Sequence, residues 1–184
     1  MPRKKAVHSG RKTIDKTLTA FGVLTTLALM AFGGVAWWAY SFTTSSVGNE
    51  LSAQKIYFPP PGSPALASPA IGPYLNQYAG QQLVTGPEAR AYADHFIAVH
   101  LTEVAKGQTY AQVSAAALAN PSNAQLKQQA QTLFQGETLR GLLLNAYAFW
   151  TVGSIAQIAA VVCFAAAALM AILSLLGFWH YATQ

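Results

Sequence analysis

The sequence predicts a mainly α-helical integral membrane protein: a helical hairpin of two transmembrane helices, a helical extracytoplasmic domain and a proline-rich segment. Three observations carry this. Residues 17–42 and 147–181 are apolar runs without Asp, Glu, Lys or Arg, each longer than the about 20 helical residues that cross a ~30 Å hydrocarbon core. Hydrophobic residues make up 53% of the 184-residue chain and charged residues 9%, a balance unlike that of a soluble domain. The net charge of +5 resides in the first sixteen residues, where Arg3, Lys4, Lys5, Arg11, Lys12 and Lys16 stand against Asp15.

Residues 1–16 are therefore expected as a mobile, basic cytoplasmic tail. A pI of 9.4 in a soluble chain would suggest nucleic acid. Here the charge abuts an apolar run, which is the positive-inside pattern, and no nucleic-acid partner is expected. Near anionic headgroups each such charge contributes about 1 kcal/mol.

Residues 17–42 form the first expected span. A cleaved signal peptide would have a shorter apolar region followed by small residues, whereas Trp37, Trp38 and Tyr40 stand at that end and suit the outer membrane interface. An uncleaved anchor is the better reading. Thr19, Gly22, Thr26 and Gly33 fall within a sector of about 60° on this helix, interrupted by Leu29. Small residues let a second helix approach closely, and in lipid such packing replaces the hydrophobic effect as the attraction.

Residues 43–86 are rich in Pro, Gly, Ser and Thr and include the run FPPPGSPALASPAIGP. They are expected to be extended and partly polyproline-like, because proline fixes its backbone angle and cannot continue a helix. Residues 87–146 form the expected external helical domain. Its first helix, 87–106, has Pro87 in the first turn and an apolar face of Ala89, Ala93, Phe96, Ile97, His100, Leu101 and Val104. Thr109 caps a second helix running to Asn120. A third begins near Ser122 and meets no turn signal before the second span, 147–181, so one continuous helix is expected. Aromatic residues Tyr147, Phe149 and Trp150 mark one interface and Phe178, Trp179 and Tyr181 the other. Residues 182–184 then end in the cytoplasm, and both termini lie inside.

Catalytic signatures are sparse. There is no H-E-x-x-H, no G-x-S-x-G and no phosphate-binding glycine loop. His95, His100 and Glu103 hold the residue types of a non-haem iron site. On one helix, however, His100 lies about 140° round from His95, and Glu103 about 12 Å along the axis. No metal and no cofactor is expected. The single cysteine, Cys163, lies in an apolar run and reads as a small packing residue.

Glu137 and Arg140 form an i, i+3 ion pair at the edge of the second apolar run, where a lone charge would be costly. Gly141, Asn145, Gly153 and Gln157 follow on a slowly drifting stripe, where the glycines admit a neighbouring helix and the amides gain about 0.6 to 2 kcal/mol from cross-helix hydrogen bonds. Both groups are candidate packing or partner contacts.

The segments LSAQKIYFPPPGSPAL (51–66) and QTLFQGETLRGLLLNAYAFW (131–150) resemble a family of small actinobacterial two-span membrane proteins. Some members carry the label aromatic ring-opening dioxygenase. The resemblance implies an anchor, a proline-containing motif, a helical external part and a C-terminal span. The expected function is non-enzymatic, a structural or accessory subunit of a cell-envelope or membrane complex, with the membrane and other subunits or further copies of the chain as partners. The alternatives are a metal-dependent ring-opening oxygenase and an extracytoplasmic ligand-sensing protein.

Overall fold

The computed structural model describes residues 13–180 together with Ala182 and Thr183. The readings of the basic side chains in 1–12 and of Tyr181 as an interfacial aromatic lie outside the described residues. The helices are α1 (Pro2–Gln54), α2 (Pro64–Ala67), α3 (Gly72–Leu75), a 3-10 turn (Asn76–Tyr78), α4 (Gly86–Tyr92), a π turn (Ala93–Ile97), α5 (Ala98–Ala105), α6 (Tyr110–Ala119) and α7 (Ala124–Ala182). Among the described residues there is no strand, and Tyr57 and Gln82 make an isolated antiparallel bridge. The chain divides into unit 1, Met1–Ser41 with Gly153–Gln184, and unit 2, Phe42–Val152.

In unit 1 two helical stretches run antiparallel: Thr19 faces Gly177, Gly22 faces Ser174 and Gly33 faces Phe164, so numbers rise on one as they fall on the other. The less exposed positions of α1 up to Tyr40 include Asp15, Thr19, Gly22, Thr26, Leu29, Gly33, Ala36 and Tyr40, in alternating steps of four and three, with Thr25 and Ala39 beside them. On α7 Gly153, Ala160, Ala167 and Ser174 are buried at every seventh residue. A seven-residue repeat keeps one seam facing its partner only if the helices wind left-handedly. The fully buried positions of the seam are small, with the Phe164 ring lying against Gly33. Leu18, Phe21, Leu24 and Phe32 on α1, and Ile158, Leu169 and Leu175 on α7, project outward.

Unit 2 is built the other way. Leu51, Phe58, Leu75, Leu83, Val113, Leu133 and Leu143 are fully buried at its centre. Residues 43–86, expected to be extended, are helical up to Gln54 because α1 runs on, and the remainder is broken by α2, α3 and the 3-10 turn. No proline occurs between 43 and 54, Ser52 Oγ donates back to the Gly48 carbonyl at 2.6 Å, and Leu51 anchors the last turn in the core. Lys55, at φ 53°, stops the helix in the left-handed region. Thr13–Lys16, expected as part of a mobile tail, also belong to α1.

The proline-rich segment is ordered by packing. Phe58 lies between Tyr78 and Tyr92, with ring centroids 5.1 and 5.4 Å away. The Phe58 amide donates to Gln81 O at 2.9 Å and the Leu83 amide to Ile56 O at 2.9 Å. Pro60 and Pro61, which have no N–H to satisfy, stay at the surface.

Thr85 caps α4 reciprocally with Glu88, whose Oε2 accepts from the Val84 and Thr85 amides at 2.8 Å each. The helical stretch expected over 87–106 is present, interrupted by the π turn. Its buried row is Ala89, Ala93, Ile97, Leu101 and Ala105, while His100 and Val104, expected on that face, are exposed. Residues four apart drift about 40° per step on a straight helix. The π turn takes in one extra residue, cancels part of that drift and keeps a four-residue row inward. Lys106 at φ 51° and Gly107 at φ 78° close α5, with the Gly107 amide donating to Thr102 O at 3.0 Å. Thr109 caps α6 with Gln112, and Asn123 Oδ1 accepts from the Leu126 amide at 3.1 Å to start α7.

Candidate functional site

The predicted small-residue face on α1 lies on the unit 1 seam. A Cβ on Gly33 would come within 2.7 Å of Phe164 Cε1, and one on Gly22 would collide with Ser174 Oγ. Thr26 Oγ1 donates back to the Gly22 carbonyl at 2.8 Å, satisfying its hydroxyl inside its own helix. Thr19 Oγ1 would be 2.8 Å from a Cβ on Gly177. At one end of the seam Asp15 Oδ2 lies 4.0 Å from His180 Nε2, an ion pair only when the imidazole is protonated.

The second predicted stripe does not act as one face. Gly141 and Asn145 are exposed in unit 2, with no heavy atom within 4 Å of a Cβ built on Gly141, whereas Gly153 is buried and Gln157 half-buried in unit 1. Gly141 and Asn145 belong to unit 2, and Gly153 and Gln157 to unit 1. Of the buried row Gly153, Ala160, Ala167 and Ser174, sequence reasoning named Gly153 and missed the other three. Its seven-residue recurrence of small residues was the available signal.

In unit 2 the Glu137–Arg140 pair belongs to a larger charged cluster. Arg140 Nη1 lies 3.5 Å from Glu137 Oε2, and its Nη2 lies 3.4 Å from Asp94 Oδ1. Asp94, carried by the π turn, also holds Arg90 Nε at 3.5 Å through its other oxygen. Arg90 Nη1 donates to the Tyr147 hydroxyl at 2.9 Å, and its guanidinium lies 4.9 Å from the centroid of that ring. The bond to Tyr147, with a smaller contribution from Asp94, raises the pKa of Arg90 above its ordinary value. The Arg140 contacts are longer than the about 2.7–2.9 Å of a formed charge-assisted bond, and Arg140 Nε is buried without a partner. Its guanidinium therefore holds both carboxylates only at long range. Arg90–Asp94 was readable as an i, i+4 pair, but Asp94–Arg140 spans 46 residues and has no local signature.

Tyr147 and Trp150, read as interfacial aromatics, make contacts within unit 2. A Cβ on Gly86 would come within 2.5 Å of Trp150 Cγ, so Trp150 packs directly on the backbone there. Burial pushes the Tyr92 phenol above its usual pKa.

The His95 ring stacks on Tyr74, with centroids 3.6 Å apart and planes within 4°. His100 Nδ1 lies 2.8 Å from the Phe96 carbonyl oxygen. Among the described residues, no three His, Cys, Asp or Glu side chains converge as a metal would require.

Beside the charged cluster is a cavity of about 320 Å³ lined by Thr102, Gln108, Thr109, Tyr110, Glu137 and Arg140, with Leu101 and Leu133 supplying apolar walls. A wider groove of about 820 Å³, near the start of α7, is lined mainly by side-chain amides, including Gln108, Asn123, Gln125 and Gln129, together with Lys106. Comparison with protein-family models, with curated proteins and with solved structures gives no match.

Proposed function

We propose that the chain is a two-span integral protein of the cell membrane, with residues 43–146 outside and both termini in the cytoplasm, acting as a non-enzymatic structural or accessory subunit of a membrane or envelope complex. The observation that carries this reading is the inverted burial of unit 1. Its two helices are long and apolar enough to cross a membrane, yet only 11% of the most apolar stretch of each is buried inside the protein. A core helix of a soluble protein would be mostly covered; here Leu18, Phe21, Phe32, Ile158 and Leu175 are more than half exposed. In water that surface would be a large aggregation-prone patch, whereas in lipid it needs no cover.

Length supports the same reading. Residues 13–41 and 153–180 each span about 42–44 Å at about 1.5 Å per residue, close to the about 40–45 Å of a bilayer with its headgroups. The resemblance of 51–66 and 131–150 to actinobacterial two-span membrane proteins points the same way. The accessory role draws on the exposed Gly141–Asn145 face, which is available to a partner.

Two measurements test the proposal. With Cys163 replaced by Ala, a thiol introduced at Ser122 should react with an impermeant reagent added to intact cells, and one at Ser9 should not; the reverse pattern would overturn the orientation. Affinity purification in mild detergent with mass spectrometry should recover defined membrane partners, and recovery of this chain alone would count against an accessory role.

A further inference from the structure

We infer that the cavity beside Arg140 and Glu137 binds a small zwitterion of amino-acid size, with an apolar side chain. The inference goes beyond the accessory role and does not depend on it, since it uses unit 2 alone. Three features combine.

The first is unused hydrogen-bonding capacity. Arg140 carries five N–H donors, but its two carboxylate contacts are 3.4 and 3.5 Å long and its buried Nε has no partner. A ligand carboxylate reaching an Nη group would form the short, charge-assisted bonds that Asp94 and Glu137 do not.

The second is the balance of charge. Arg90, Asp94, Glu137 and Arg140 sum to zero, and both Glu137 and Arg140 line the cavity. An anion drawing Arg140 away from Glu137 would leave that carboxylate uncompensated, and a cation at Glu137 would do the same to Arg140. A zwitterion satisfies both, its carboxylate on Arg140 and its ammonium on Glu137.

The third is the rest of the lining. Gln108, Thr109 and Tyr110 supply polar atoms around the charged pair, and Leu101 and Leu133, both buried, contribute apolar atoms at its inner end, toward which a hydrocarbon side chain would point. Leu101 reaches its place because Gly136 has no side chain: a Cβ there would collide with Leu101 Cδ2. A volume of about 320 Å³ suits a molecule as small as leucine.

The test uses the full-length protein in detergent micelles, titrated calorimetrically with L-leucine, N-acetyl-L-leucine and L-leucinamide. L-Leucine should bind saturably, and removing either ligand charge should weaken binding tenfold or more. Glu137→Gln should abolish discrimination against the acetylated form while retaining discrimination against the amide; Arg140→Gln should do the converse. Absence of saturable L-leucine binding overturns the inference, as do equal affinities for the three ligands. Because these comparisons are made on the unaltered protein, misfolding of either variant leaves the result decisive.

Discussion

In unit 1 the buried positions are Gly22, Gly33, Ala160, Ala167 and their small neighbours, while Phe21, Phe32, Ile158 and Leu175 stand outside. In unit 2 Leu75, Leu83 and Val113 are completely covered, and most charged side chains, including Arg90, Glu103 and Lys127, are exposed. The same α1 and α7 contribute to both arrangements. What differs is the size of the side chains turned inward. Burying large apolar groups is the dominant driving force in water, but in lipid it contributes nothing to pairing, and close approach of backbones across glycine, alanine and serine takes its place.

The largest expected effect separates the two rules directly. Leu83→Ala should destabilise unit 2 by about 2–5 kcal/mol, since a fully buried leucine leaves a cavity. Leu24→Ala, at a position 65% exposed in unit 1, should stay within about 0.5 kcal/mol in detergent. Thermal unfolding followed by near-ultraviolet circular dichroism reads both, and equal losses would break the comparison.

A smaller effect is expected from filling the seam. Gly33→Ile places a branched side chain where Phe164 already sits and should weaken helix pairing by about 1–3 kcal/mol. Disulfide trapping between thiols introduced at Thr19 and Gly177, in a background lacking Cys163, should fall accordingly. Undiminished trapping would mean that the seam is not tightly packed.

The smallest effect concerns pH in unit 2. Burial raises the folded-state pKa of Tyr92 above its unfolded value, so the folded state holds the proton more tightly. The resulting stability is fully present below about pH 10, the unfolded phenol value, and is lost as pH rises through the folded pKa. Phenolate absorbance should show one tyrosine ionising late, with a concurrent loss of stability, and Tyr92→Phe should remove that component. A wild-type stability profile matching the variant's above pH 10 would contradict it.

Much of the local structure is legible in the residues themselves. Pro87 marks the first turn of one helix and Thr109 the start of another, and residues 131–150 carry no signal that would break α7. The Thr19, Gly22, Thr26 and Gly33 face is also readable, because the helical period alone brings those residues together. Its partner row, Gly153, Ala160, Ala167 and Ser174, recurs every seven residues and shares only Gly153 with the expected stripe. The π turn, the end of α1 at Gln54 and the meeting of Asp94 with Arg140 have no comparable local signature.

The sequence by itself determined the helical stretches after Gly86, the cap at Thr109, and that two stretches are apolar enough to cross a membrane, because capping, periodicity and hydropathy act over a few residues. Only the tertiary structure decided that Leu51 carries α1 past its expected end, that Phe58 orders the proline-rich segment between Tyr78 and Tyr92, and that a π turn delivers Asp94 to Arg140. Those outcomes depend on groups distant in the chain being buried together. Their energies exist only once the chain has folded.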